Sequence, residues 1–161
     1  MGDAFVPNMF AFRRKNYIVV GPDTFSIKGL STIVKMLGAI PLGGSMKTSL
    51  GMINCIKTHI NDGHSVTIYP EAHLWPYYNG VRPFKEDCCR FPIDLNVPVF
   101  SFVTIFQQRK LKFIKLPKIL TVINGPFYPD QTLSRAEAKK KLRDEIYNAM
   151  IETRNAYPTY I

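Results

Sequence analysis

The chain has 161 residues, 46% hydrophobic and 20% charged, which suits one α/β or α+β domain with a sizeable core and argues against two independent ones. No apolar run approaches the roughly 18–20 residues that span a bilayer, and the start lacks the regions of a secretory signal, so the sequence as written reads as neither secreted nor transmembrane. With 21 Lys and Arg against 12 Asp and Glu, the formal charge of +9 favours an anionic surface, phospholipid or nucleic acid.

Strand and helix signals alternate without internal repeats or a Pro/Ser-rich linker, which predicts a single layered α/β domain with a central mixed sheet flanked by helices. Residues 17–20 are a short β-rich run ended by Gly21-Pro22. Ile27, Leu30, Ile33, Val34 and Leu37 recur at the spacing of one helical face, and Gly38 stops that helix. Residues 39–42 could form another strand. Gly43-Gly44-Ser45 then leads into a helix with Met46, Leu50, Ile53, Ile56 and Ile60 on its apolar side, closed by Asn61-Asp62-Gly63.

Residues 65–69 read as a central strand ending at Pro70-Glu71. A helix over about residues 83–95 follows, then an apolar strand over 98–106 and a hairpin partner from Leu111 that Gly125-Pro126 breaks. The last helix is the best signalled. Ser134 and Glu137 form a capping box ahead of Ala138, Leu142, Ile146, Ala149 and Met150, and the charge on its other face is that of an ordinary surface helix.

Ionisable and aromatic groups concentrate after the strand ending in Tyr69, where open α/β sheets place ligands. Glu71 could orient a cation or a hydroxyl, and Arg82 and Lys85 could hold phosphate oxygens. His73, Trp75, Tyr77 and Tyr78 could rest against lipid or form a lid. Each alone also fits a loop packed by its own aromatics. Cys55, Cys88 and Cys89 make no metal-ligand array, and neighbours in sequence rarely bridge, which predicts reduced thiols, no metal and a cytosol-facing protein. Met1-Gly2 lacks the Ser or Thr at position 6 that N-myristoylation wants, Val6 standing there instead.

The order of the blocks is more specific than any one of them. Leu37-Gly38-Ala39-Ile40-Pro41-Leu42-Gly43-Gly44, then Tyr69-Pro70-Glu71-Ala72-His73-Leu74, Arg82-Pro83-Phe84-Lys85, Val97-Pro98-Val99 and Ile123-Asn124-Gly125-Pro126 resemble, in sequence, the blocks of the 1-acylglycerol-3-phosphate acyltransferase family. Asp3-Ala4-Phe5-Val6-Pro7 resembles the end of that family's His-x4-Asp dyad, so the resemblance puts the histidine five residues before Asp3, ahead of Met1. On this reading residues 1–161 are an acyltransferase domain lacking its N-terminal portion, and Asp3 alone reads as a simple helix N-cap.

The resemblance implies a glycerolipid acyltransferase-like fold and direct transfer of a fatty acyl group from acyl-CoA or acyl-carrier protein to a lysophospholipid hydroxyl. These donors are co-substrates, and no cofactor is implied. Asp3 would orient the base and Glu71 would position the acceptor. The arginines that close the family's second and third blocks are replaced by Gly44 and Leu74, which puts a plain lysophosphatidate acceptor in question and leaves Lys47, His73, Arg82 and Lys85 as candidate phosphate partners. The expected partners are the lysolipid, the donor and an anionic membrane surface, met from the cytoplasm as a peripheral protein. The alternative is a catalytically silent lipid-binding or membrane-associating module of the same fold. A nucleic-acid-binding domain would want cations interleaved with aromatics on one sheet face, or a helix-turn-helix, and neither pattern is present in the sequence.

Overall fold

A computed structural model of the protein describes residues 14–21, 38–71, 78–109 and 117–157. The helix expected over residues 27–37 and the hairpin start at Leu111 lie outside these. The chain divides into two units, residues 1–69 and 70–161.

In the first unit the β-rich run forms strand β1 (Asn16–Val20), flanked by β2 (Ala39–Pro41) and β3 (Ser65–Thr67), with both pairings parallel. The strand expected over 65–69 therefore stops at Thr67 and sits at the edge of the described sheet, with β1 in the middle. Parallel neighbours cannot be joined by a tight turn. Helix α1 (Met46–Asn61) makes the connection from β2 to β3. Its N-cap, Ser45, shares a capping box with Thr48, and Gly63 at φ +79° lets the chain reverse after the last turn. Ile53 and Ile56 are buried as the helical spacing predicts, but Leu50 is 56% exposed. A 16-residue helix is about 24 Å long, whereas a strand of three residues covers about 10 Å, so β2 and β3 are too short to cover its first turns. Asn16, buried on β1, accepts hydrogen bonds at Oδ1 from Ser65 Oγ (3.0 Å) and Thr67 Oγ1 (2.9 Å), which satisfies its carbonyl and fastens β1 to β3.

The second unit is an antiparallel ribbon packed on a long helix. Strand β4 (Val99–Gln107) pairs with β5 (Lys118–Phe127), and its alternation turns Ser101, Val103 and Ile105 inward. Helix α3 (Arg135–Ala156) lays Ala138, Leu142, Ile146, Met150 and Thr153 along its buried side. The capping box expected from Ser134 and Glu137 is formed, with Glu137 Oε2 accepting from the Ser134 backbone N–H at 3.2 Å. Phe84, Cys89, Val103, Ile105, Leu142, Ile146 and Met150 make one core. Burying a side chain such as Leu142 is worth about 1.5–3 kcal/mol.

Two expectations are corrected here. The helix expected from Pro83 begins later, as a 3-10 turn over Glu86–Cys89 continuing into α2 (Arg90–Leu95), because the chain up to Lys85 stays extended while Phe84 enters the core. Gly125-Pro126 does not break the hairpin partner but lies inside β5, opposite an irregularity between Val99 and Ser101. At Gly125, φ is +121° and an added Cβ would stand 2.8 Å from the Val99 carbonyl oxygen, so only glycine fits. Beside it, Asn124 Nδ2 donates to Thr153 Oγ1 (2.9 Å) and Ser101 Oγ (3.3 Å), a polar tie between β5, β4 and α3.

Candidate functional site

The segment after residue 77 is held in place by a side chain acting as backbone. Asn79 Oδ1 accepts from the Phe106 N–H (2.7 Å) and its Nδ2 donates to the Phe106 carbonyl (3.0 Å), so the amide pairs with β4 as another strand would. The Asn79 carbonyl in turn accepts from Arg154 Nε on α3. Gly80 follows with no Cβ, and one placed there would stand 2.3 Å from the Tyr78 hydroxyl oxygen. Tyr78 therefore folds over this turn, and its ring lies 5.4 Å from the Arg82 guanidinium, a cation–π arrangement.

This anchoring delivers the Arg82 backbone N–H to the Glu71 carboxylate. Burial pushes the half-buried Glu71 carboxyl above its ordinary value, while that N–H and the Arg82 charge pull it part of the way back. Glu71 is thus an acid whose charge is held at a cost, the condition in which functional carboxylates are found. It faces an open hollow of about 380 Å³, where Pro83 and Phe84 supply the apolar wall and Lys85, Asp87 and Cys88 the polar groups. A carboxylate able to accept from a hydroxyl and an ammonium able to hold an anionic oxygen share this hollow.

Of the residues singled out from the sequence, Glu71, Arg82 and Lys85 come together in the second unit. Gly44 and Lys47 belong to the first, at the start of α1, where Lys47 is exposed. The two adjacent glycines differ. A Cβ on Gly43 would stand 2.4 Å from the Ser49 backbone nitrogen, whereas one on Gly44 would meet nothing within 4 Å. Backbone packing thus demands glycine at 43 and leaves 44 open to a side chain. Asp3, His73, Leu74, Trp75 and Tyr77 lie outside the described residues.

Sequence reasoning missed Asn79, Gly80 and Arg154. The Asn-Gly dipeptide was the available signal for the first two, and nothing local marks Arg154 as their partner. The other two histidines have structural surroundings, His59 stacking on Tyr17 at 3.5 Å between ring centroids and His64 lying 5.7 Å from the same ring. The charged face of α3 is in part neutralised on the protein itself, by Lys139 with Asp87 (3.7 Å) and Lys141 with Asp130 (2.7 Å). Among the described residues no group of three His, Cys, Asp or Glu is placed to hold a metal ion, and no helix is long and apolar enough to cross a membrane.

No protein-family model matches the chain, and no curated protein does. Among solved structures it is similar to the crystal structure of the 1-acyl-sn-glycerophosphate (LPA) acyltransferase PlsC from Thermotoga maritima, with a TM-score of 0.60 at 16% sequence identity. The match covers 96% of this chain and 63% of that one, so the chain spans less than two thirds of its neighbour's length. At that identity the likeness is one of fold. The parallel sheet, antiparallel ribbon and flanking helices of this chain make an α/β protein with the fold of a PlsC acyltransferase.

Proposed function

We propose that the chain belongs to a glycerolipid O-acyltransferase that moves a fatty acyl group from acyl-CoA or acyl-carrier protein to the hydroxyl of a lysophospholipid at an anionic, cytoplasm-facing membrane surface. The observation that carries this reading is the Glu71 carboxylate, half-buried against Arg82 and sharing a hollow with Lys85, in a chain of PlsC-like fold. In the proposed reaction a histidine ahead of Asp3 takes the proton of the acceptor hydroxyl, and Asp3 holds that histidine in the tautomer that can do so. The acceptor oxygen attacks the thioester carbonyl, the C–S bond breaks, and the thiol leaves with the proton the histidine has taken. Glu71 orients the acceptor by accepting a hydrogen bond from one of its hydroxyls, while Arg82 and Lys85 hold head-group oxygens. Lys47 and His73 are further candidates for that role.

The test is acyl transfer from acyl-CoA and from acyl-carrier protein to lysolipids of several head groups, by the chain as written and by a form extended upstream to supply a histidine five residues before Asp3. The extended form should transfer and the chain as written should be slower by at least the 10²–10⁴-fold that general base catalysis typically contributes. Equal rates in both would move the base elsewhere, with His73 first in line. A folded protein that floats with anionic vesicles and transfers nothing in either form would favour the silent lipid-binding module.

A further inference from the structure

Cys88 and Cys89 take no part in the proposed reaction, yet one of them lines the hollow. Both stand on the 3-10 turn over Glu86–Cys89, Cys88 half-buried at the wall and Cys89 buried in the core. Their sulfurs are 3.8 Å apart, and the Cys88 S–H donates to the Lys85 carbonyl oxygen at 3.3 Å. Consecutive Cα atoms are about 3.8 Å apart, short of the roughly 4.4–6.8 Å of an ordinary disulfide, so the pair is poorly placed to close on itself and persists as two thiols.

The two sulfurs are not equivalent. The bond to Cys88 and its own burial push the Cys89 thiol well up, so it stays protonated and keeps an S–H to donate. Cys88 receives that donor, which draws its thiol below the ordinary value, and the backbone N–H groups of both cysteines act in the same direction. Burial and the Asp87 charge act the other way. The other charged groups around the turn are Glu86 and Arg143, with Lys139 paired to Asp87. Cys55, half-buried on α1, has no cysteine adjacent to it in sequence.

We propose that Cys88, a residue of the hollow's wall backed by the Cys89 thiol, is a covalent modification site for soft carbon electrophiles of the α,β-unsaturated carbonyl class. The Cys88 sulfur forms a bond to the β carbon, the π electrons of the C=C bond move to the α carbon, and a proton equivalent to the one that left the thiol ends there. The adduct stands beside Glu71 and Lys85 and fills part of the hollow. This inference rests on the thiol geometry and not on acyl transfer.

The experiment is brief labelling of the native chain with N-ethylmaleimide, followed by peptide mass spectrometry of all three cysteines. Cys88 should react several-fold faster than Cys55 or Cys89, because it lines the hollow with its thiol drawn below the ordinary value while Cys89 is buried in the core. Cys55 or Cys89 reacting first, or all three at one rate, would overturn the proposal. Cys89→Ala should slow labelling of Cys88 several-fold, and an unchanged rate in a folded variant would overturn the part given to Cys89. Because the labelling order is read on the unaltered chain, failure of that variant to fold leaves the main test standing.

Discussion

The two units reach order by different routes. In the second, seven side chains from β4, α3, the 3-10 turn and the extended stretch before it close on one another, and polar ties such as Asn124 with Thr153 fix the remaining register. In the first, three-residue strands flank β1, the buried apolar side chains among the described residues are Ile40, Ile53 and Ile56, and a buried asparagine does part of the fastening. Where the core is broad, single side chains carry stability; where strands are short, turns and close backbone contacts matter more. The residues proposed to hold substrate divide the same way, Glu71, Arg82 and Lys85 on the broad core and Gly44 and Lys47 at the mouth of a helix.

The largest expected effect is on the broad core. Leu142→Ala should cost about 2–5 kcal/mol in denaturant unfolding, since Leu142 is 1% exposed and its neighbours are held by the helix and ribbon. A loss below about 1 kcal/mol would mean that the packing there is loose, and the contrast between the units would fail. Next comes the glycine pair. Gly43→Ala should destabilise by roughly 1–3 kcal/mol because its Cβ meets backbone, whereas Gly44→Arg should stay within about 0.5 kcal/mol. In the extended form, Gly44→Arg should also raise transfer to phosphate-bearing lysolipids relative to other head groups, which a head-group panel would measure.

The smallest effect on stability is at Glu71. Its carboxyl is raised in the folded state, so its contribution is fully present below the unfolded value of 4.5 and is lost as pH rises through the folded one. Glu71→Gln should therefore melt at or above the parent at pH 7, and the difference should shrink as the pH is lowered towards 4. Acyl transfer should nevertheless fall in the same variant. A variant both less stable and less active at pH 7 would make Glu71 a structural residue.

Much of this fold was legible in the sequence because local and global preferences agree. The Ser134 to Glu137 box, the stripe from Ala138 to Met150 and the β-branched runs of β1 and β4 each satisfy their own geometry and the core at once. Errors fell where distant residues decide. Leu50 keeps helical spacing but finds no cover, and Pro83 begins an extended stretch because Phe84 is claimed by the core. Gly125-Pro126, which reads as a stop, is a bulge whose need for glycine comes from the Val99 carbonyl on the facing strand. At the candidate site, Glu71, Arg82 and Lys85 were visible as chemistry. The support beneath them was not, since Asn79 meets Phe106 and Arg154 only in three dimensions.

The Asn79 clamp also couples the site to the ribbon. Among the described residues β5 occupies one side of β4, and Asn79 takes both the N–H and the carbonyl that Phe106 offers on the other. An amide side chain carries one acceptor and one donor group, so it can meet a strand as the backbone of a neighbouring strand would. The turn that presents Arg82 to Glu71 is thereby locked to the ribbon, so losing Asn79 would set the Arg82 N–H adrift from the carboxylate it meets.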